Sequence, residues 1–247
     1  QAATGQYIAF NDSDDLWLPG KLSAQVNYLE HHPEIGLCFS RWAVWERDVS
    51  FNEIVNRFAS NPCAINIDEN MSGWLYIPLL KDSVIHTITA LVRKDVLQNV
   101  GLFNTDYRIG EDYDLWIRIS RKYQMAKLSQ VFALYRDNPD SITKGVQRRN
   151  YSAMVLQSAI DKFGFTCPSG KSIKKKTVNS YLGARHFGYG YNAMIKNHRD
   201  KAMISFKACI GLRYRLAKAL GFYLICAIPP LYKLLLQIKQ PQMTAKL

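Results

Sequence analysis

The sequence lacks the cysteine spacing of a zinc site or of a disulfide framework. Its five cysteines are scattered, with no CxxC or CxxH pair among them, and this usage is typical of a reducing compartment. The pattern of a secretory signal is also missing. The longest uncharged stretch near the C-terminus, residues 219–232, is 14 residues long, whereas a membrane-spanning helix needs roughly 20. We therefore expect an interfacial segment or a buried helix pair there.

Acidic residues are almost absent from the last part of the chain. Residues 151–247 contain 16 Lys and Arg against 2 Asp and Glu, a net charge of +14, whereas residues 1–150 contain 16 against 18, a net charge of −2. This asymmetry predicts two regions, a nearly neutral domain at 1–147 and a basic helical region at 148–247. A basic region of this kind can meet nucleic acid, an anionic membrane or a phosphorylated substrate.

Strand and helix patterns alternate in the first region. Residues 5–11 have the form of a short buried strand, 16–32 of a helix and 35–40 of a second strand. This order predicts an α/β sheet with ligands at the carboxyl ends of its strands. The other predictions are strands at 87–92 and 131–135, helices at 93–99, 112–123, 151–163, 178–197 and 200–210, and a partly irregular insertion with short helices at 41–80. The apolar stretch at 216–238 is interrupted by Pro229-Pro230.

Three aspartates crowd the end of the first predicted strand, in the run Asp12-Ser13-Asp14-Asp15. Neighbouring carboxylates repel one another unless a cation or hydrogen-bond donors offset their charge. Mg²⁺ or Mn²⁺ would do so, since hard cations take carboxylate oxygens and share them with diphosphates. The alternative is a solvated acidic turn in which Asp15 caps the next helix.

A second acidic pair, Glu111 and Asp112, opens an amphipathic helix. A carboxylate here could act as a general base that removes a proton from an attacking hydroxyl. Alternatively, both acids only satisfy the amides at the helix N-terminus. Trp116, one turn into this helix, is expected in the core.

Three collinear passages surround these acids. The first reads G-Q-Y-I-A-F-N-D-S-D-D-L-W-L-P-G-K-L from Gly5, and the second reads V-R-K-D-V-L-Q-N-V-G-L-F-N-T-D-Y-R-I-G-E-D-Y-D-L-W-I-R-I from Val92. The third is Leu134-Tyr135-Arg136 followed by Pro139 and Ser141-Ile142. In order and spacing they resemble the family-2 inverting glycosyltransferases, over residues 5–143.

The resemblance implies a GT-A fold, a mostly parallel sheet flanked by helices. Asp12 and Asp14 match the family's metal motif and would hold Mg²⁺ or Mn²⁺ against the diphosphate of a nucleotide-sugar donor. Asp15 is adjacent and is grouped with them as donor-binding. Arg136 could pair with a phosphate. The family often has His at the position of Asn138, and an amide there cannot carry charge.

The same resemblance assigns roles on the acceptor side. Asp112 matches the catalytic base, and Glu111 is its neighbour. The implied reaction moves a sugar, with inversion, to a hydroxyl of a glycan or lipid-linked acceptor in surface polysaccharide or lipopolysaccharide synthesis. The expected location is cytoplasmic, peripheral on the cytoplasmic face of the membrane, with the basic region against anionic lipid.

The resemblance also places Gly5 well inside the family domain. The first nucleotide-binding strands are therefore expected to be missing, either because the chain is a fragment of a longer protein or because its reading frame is decayed. The fragment is favoured, and the chain as written is expected to be poorly soluble and inactive. Two other hypotheses remain, a catalytically degenerate partner of an active transferase and a basic nucleic-acid-binding module. The last is disfavoured because the basic region contains no recognisable nucleic-acid motif.

Overall fold

The computed structural model describes residues 3–46, 48–58, 65–138, 141–142 and 145–244. The chain divides into two compact units. The first consists of Gln1–Pro139 with Phe165–Ser172, and the second of Asp140–Gly164 with Ile173–Leu247. The functional boundary expected between residues 147 and 148 stays a prediction.

A mixed five-stranded sheet forms the centre of the first unit. Its order is β1-β4-β3-β5-β2. Strand β3 runs parallel to β5, and the β1–β4, β4–β3 and β5–β2 pairs are antiparallel. The strands are β1 (Tyr7–Ala9), β2 (Leu16–Trp17), β3 (Ile35–Trp45), β4 (Leu91–Arg93) and β5 (Gln124–Arg136).

The expectation of an α/β sheet flanked by helices is confirmed and agrees with a GT-A-like fold. Within the described strands, however, parallel pairing is limited to β3 and β5 instead of dominating the sheet. The physical reason is the position of β4. Strands β1 and β3 flank a helix in sequence, but β4 lies between them and pairs antiparallel with both.

In the part of this unit that the structure describes, five helices accompany the sheet, and the first begins later than predicted. Helix α1 starts at Lys21, and residues 16–17 pair with β5 as strand β2. Pro19 disfavours helical geometry at the residue before it, and Gly20 adopts a left-handed φ of 85° at the helix start. The helices are α1 (Lys21–His31), α2 (Phe51–Phe58), α3 (Tyr76–Lys81), α4 (Lys94–Val100) and α5 (Glu111–Ser120), with 3₁₀ turns at Glu69–Met71 and Thr87–Thr89.

Two other predictions for this unit need correction. The strand expected at 87–92 is a 3₁₀ turn followed by the short strand β4. The expected insertion at 41–80 begins as a continuation of β3 to Trp45, because residues 41–45 pair with β5. The pairing of these two long strands buries Cys38 and Leu128 in one cluster. Trp116 is fully buried, as expected, and its ring meets the edge of Phe10 at 5.9 Å between ring centres.

The second unit is helical in its described part, as predicted. Its helices are α6 (Tyr151–Phe163), α7 (Lys175–Ile195), α8 (Arg199–Gly211), α9 (Leu216–Ala227) and α10 (Pro229–Thr244). The apolar stretch at 216–238 is divided between two helices, at the prolines where an interruption is expected, because Pro229 cannot continue the hydrogen bonding of α9. Among the described helices, none is by itself long and apolar enough to cross a bilayer, whereas Leu216–Ala227 and Pro229–Gln237, bent by 102°, together reach that length and composition.

Candidate active site

The three aspartates after β1 form a tight turn, the acid loop, at residues 12–15. The backbone amide of Asp15 donates to the carbonyl of Asp12 at 3.2 Å. Asp12 and Asp14 are exposed, whereas Asp15 is only 9% exposed. Its Oδ1 accepts a hydrogen bond from the backbone amide of Arg136 at 2.9 Å. Asp15 therefore ties the acid loop to the end of β5. It does not cap a helix, since α1 begins after Gly20.

Two carboxylates of the acid loop, Asp15 and Asp12, have raised pKa values. Burial raises the pKa of Asp15 to about 6, the Arg136 amide opposes this shift, and repulsion from Asp14 and Asp12 adds to it. Asp12 is exposed, but the surrounding protein still removes part of the water around its carboxylate, and this raises its pKa first, followed by repulsion from Asp14 and from Asp112. A bound cation would relieve this repulsion.

The second acidic pair lies at the start of α5, after a left-handed Gly110 with φ of 86°. Asp112 uses both oxygens: Oδ1 accepts from the Tyr113 amide at 2.7 Å, and Oδ2 accepts from the Thr87 hydroxyl at 2.6 Å. Glu111 differs, since its Oε2 is buried and finds no hydrogen-bond partner among the described residues. A helix amide thus satisfies Oδ1 of Asp112 and the Thr87 hydroxyl satisfies Oδ2, whereas Oε2 of Glu111 has no partner among the described residues.

The acid loop and the start of α5 act on each other electrostatically. Burial raises the pKa of Glu111 first, and Asp112 and Asp12 raise it further, against the effect of its own backbone amide. The repulsion between Asp12 and Asp112 acts in the same way on Asp12. Acids that are far apart in the sequence therefore share one site.

Thr87 is a residue of this site that sequence reasoning missed. Its 3₁₀ turn is held from two sides: the Trp17 indole N–H donates to the Ile88 carbonyl at 2.9 Å, and the Gln25 amide donates to the Thr89 carbonyl at 2.8 Å. Thr87 and Asp112 are 25 residues apart. No local spacing pattern predicts such a pair, because only the tertiary fold brings its members together.

An aromatic group lies beside Asp112. The His86 ring packs on Trp42 with 4.0 Å between ring centres, and Tyr135 meets Trp42 edge-on at 5.9 Å. Burial lowers the pKa of His86, while the negative charges of Asp112 and Asp82 oppose that shift. Half-buried, neutral aromatic faces of this kind suit the apolar face of a sugar ring.

A cavity of about 460 Å³ lies at the end of β5. It contains Asp14 of the acid loop and Arg136, whose guanidinium lies 4.0 Å from the centre of the Trp45 ring. Asn138, where the family often has His, lines the same cavity. Pro139 of the third passage lies outside the described residues.

The acid loop fits a divalent cation in ligand chemistry and number. In the ranges that the structure describes, no group of three or more His, Cys, Asp and Glu is placed to hold a metal by itself. Mg²⁺ commonly takes one or two carboxylates and completes its shell with waters and substrate phosphates. Asp12 and Asp14 supply that number of carboxylates, and the raised pKa of Asp12 indicates charge that a cation would stabilise.

Comparison with known proteins identifies relatives of this chain. Residues 1–101 match the family described as Glycosyl transferase family 2. The chain is 28% identical over 203 residues to the Escherichia coli UDP-Glc:alpha-D-GlcNAc-diphosphoundecaprenol beta-1,3-glucosyltransferase WfaP, a match covering 81% of this chain and 68% of that protein. It is 30% identical over 145 residues to the amylovoran biosynthesis glycosyltransferase AmsE of Erwinia amylovora, covering 58% and 50%.

A second Escherichia coli enzyme with the same printed activity, WfgD, is 27% identical over 143 residues, which cover 57% of this chain and 49% of that protein. The chain thus spans between about half and two thirds of the length of these curated relatives.

Proposed function

We propose a reaction for this chain on the premise that it belongs to glycosyl transferase family 2. The chain transfers a hexosyl group from a nucleotide-sugar to a hydroxyl of a glycan or lipid-linked acceptor, and the configuration at the anomeric carbon is inverted. The proposal rests on the convergence of the acid loop and the start of α5, where burial and then the charges of neighbouring acids, Asp112 among them, raise the pKa values of Asp12 and Glu111. Such clusters of perturbed carboxylates are typical of catalytic sites.

Asp112 is the general base in this proposal. Its carboxylate takes the proton from the acceptor hydroxyl while that oxygen forms a bond to the anomeric carbon. The bond from the same carbon to the diphosphate breaks on the opposite face, and its electron pair leaves with the diphosphate. The hydrogen bonds from Thr87 and from the Tyr113 amide fix the plane of this carboxylate before the acceptor arrives.

The donor diphosphate lies at the acid loop in this proposal. Asp12 and Asp14 would hold Mg²⁺ or Mn²⁺, which supplies charge stabilisation to the leaving diphosphate. Arg136, which shares a cavity with Asp14, would pair with a phosphate oxygen. Asp15 contributes to donor binding by holding the acid loop against β5.

The acceptor lies on the other side of Asp112. Glu111, the neighbour of the base, would line this side, with its Oε2 buried behind the surface. Trp42 and His86 would pack against the acceptor sugar. The names of WfaP and WfgD specify UDP-Glc and a GlcNAc-diphosphoundecaprenol acceptor, so a lipid-linked acceptor and a role in surface polysaccharide synthesis are proposed for this chain too.

A peripheral position on the cytoplasmic face of the membrane follows from such an acceptor and from the basic second unit. Nucleic-acid binding is disfavoured by the packing of the aromatic residues in α7. Phe187 and Tyr191 are partly buried against the core cluster of the second unit, which reduces the ring surface that could stack on bases.

The test is sugar transfer from UDP-Glc to GlcNAc-diphosphoundecaprenol, with and without Mn²⁺, followed by the anomeric configuration of the product. The proposal expects metal-dependent transfer that yields a β-linkage from the α-linked donor and that is abolished by Asp112→Asn. Transfer with retention, or full turnover by Asp112→Asn, would contradict the assigned mechanism. If UDP-Glc is not a donor, the same assay with GDP- and dTDP-sugars decides the nucleotide.

A further inference from the structure

The second unit has an apolar face that its core does not bury. Leu216, Leu220 and Leu224 of α9 are between 42% and 54% exposed. Their four-residue spacing places them on one side of the helix. The other side carries Ala219 and Cys226, which are fully buried. Helix α9 therefore has an inner face that is packed and an outer face that is apolar and open.

Exposed apolar residues are also found past the end of α9. Ile228, which lies between the two helices, and Leu231 and Leu234 of α10 are between 44% and 52% exposed. We call these three residues, together with Leu216, Leu220 and Leu224, the apolar elbow. The 12 residues of α9 rise only about 18 Å, which is shorter than the roughly 30 Å hydrocarbon core of a bilayer. With a bend of 102° at its end, the elbow has the dimensions of an interfacial element.

The charge around the elbow has one sign. From residue 201 to the end, the sequence has eight Lys and Arg and no Asp or Glu. Arg213, Arg215 and Lys218 are exposed beside the leucines of α9, and Lys233 is exposed between those of α10. A second copy of this chain would bring the same positive charges against these residues, which disfavours self-association. An anionic lipid surface satisfies both the charge and the apolar face.

We propose that the apolar elbow inserts into the headgroup and acyl boundary of an anionic bilayer while the flanking Arg and Lys contact lipid phosphates. This inference deepens the membrane contact of the proposed function and rests on it. Vesicle binding requires no donor, acceptor or metal. Vesicle binding can therefore be absent while sugar transfer is observed. Failure of this inference is in that way distinguishable from failure of the proposed function.

The test is flotation of the full chain with phosphatidylcholine vesicles and with vesicles that also contain phosphatidylglycerol. We expect binding to the anionic vesicles and much weaker binding to the neutral ones. The double variant Leu220→Gln with Leu224→Gln should weaken binding at least about ten-fold, because two apolar side chains no longer leave water. The control Ile204→Gln changes an exposed apolar residue of α8 and should bind as the wild type does.

Insertion depth gives a second readout. All five tryptophans lie within the first 116 residues, so Leu224→Trp adds a reporter in α9. Brominated anionic lipids should quench this added fluorescence. Absence of the extra quenching, or equal binding by the double variant and the wild type, would overturn the proposal. Concentration-dependent dimers that the double variant abolishes, without vesicle binding, would overturn it too and assign the elbow to a second copy.

Discussion

The hydrogen bond from Thr87 to Asp112 gives the sharpest test of how the proposed base is positioned. Thr87→Val keeps the shape of the side chain and removes the donor that lies 2.6 Å from Oδ2. The remaining bond, from the Tyr113 amide to Oδ1, holds only one oxygen of the carboxylate. The carboxylate can then turn about its side-chain bond and leave the direction in which it meets the acceptor hydroxyl.

The size of the effect follows from orientation and not from the energy of the bond. Asp112 gains a proton in the transition state, so the bond from Thr87 is stronger before the reaction than during it, and its loss alone would not slow transfer. A misdirected catalytic group can cost up to about 100-fold in rate. Because the Tyr113 amide still holds Oδ1, we expect kcat to fall by less, about ten-fold.

The assay is release of nucleoside diphosphate under saturating donor and acceptor. Thr87→Ser retains the hydroxyl and should keep kcat near the wild-type value, whereas the affinity for the donor should be unchanged in both variants because Thr87 contacts Asp112 and not the acid loop. A Thr87→Val variant with wild-type or higher kcat would refute the positioning role. A loss of donor affinity equal to the loss of kcat would show general damage to the site instead.

Three further predictions concern the base, the acid loop and the second unit. Asp112→Asn should lower transfer by about 10²–10⁴-fold while nucleoside diphosphate binding, measured by calorimetry, persists. The pKa of Asp15 is raised from 3.8 to about 6, so the folded, metal-free chain binds this proton more tightly than the unfolded chain does. The resulting contribution to the free energy of unfolding is fully present below pH 3.8 and is lost as pH rises through 6. Urea unfolding at several pH values should therefore show a decline over this window that Asp15→Asn reduces, by about 1–3 kcal/mol; no reduction would contradict the raised pKa. Gly183→Ala should destabilise the second unit by about 1–3 kcal/mol, since its Cβ would overlap the side chain of Tyr214. Gly188→Ala on the same helix, with open space around it, is the control and should be neutral or stabilising in thermal melts.

Local features of the site could be predicted from the sequence. The acids of residues 12–15 follow an apolar strand directly, and those at 111–112 open an amphipathic helix, so both sets were identifiable as site candidates within short windows. The helical second unit and its break are similarly local, because apolar periodicity and Pro229 are sufficient to indicate them. Their assigned chemical roles stay predictions.

Long-range features could not be predicted in the same way. The extension of β3 to Trp45 depends on its pairing with β5, which no local pattern specifies. The position of β4 between β1 and β3 made the sheet mixed. Thr87 reaches the site because hydrogen bonds from Trp17 and Gln25 hold its 3₁₀ turn in place. Both residues are distant from Thr87 in the sequence, so no local pattern indicates its position.

Metal-dependent binding of a nucleoside diphosphate at the acid loop is the central claim, and calorimetric titration tests it most directly. UDP, GDP and dTDP are each titrated into the chain with and without Mn²⁺, and then into Asp14→Asn. We expect that one nucleotide binds only when Mn²⁺ is present and that Asp14→Asn weakens this binding. Binding that needs no metal, or that is unchanged in Asp14→Asn, would contradict it.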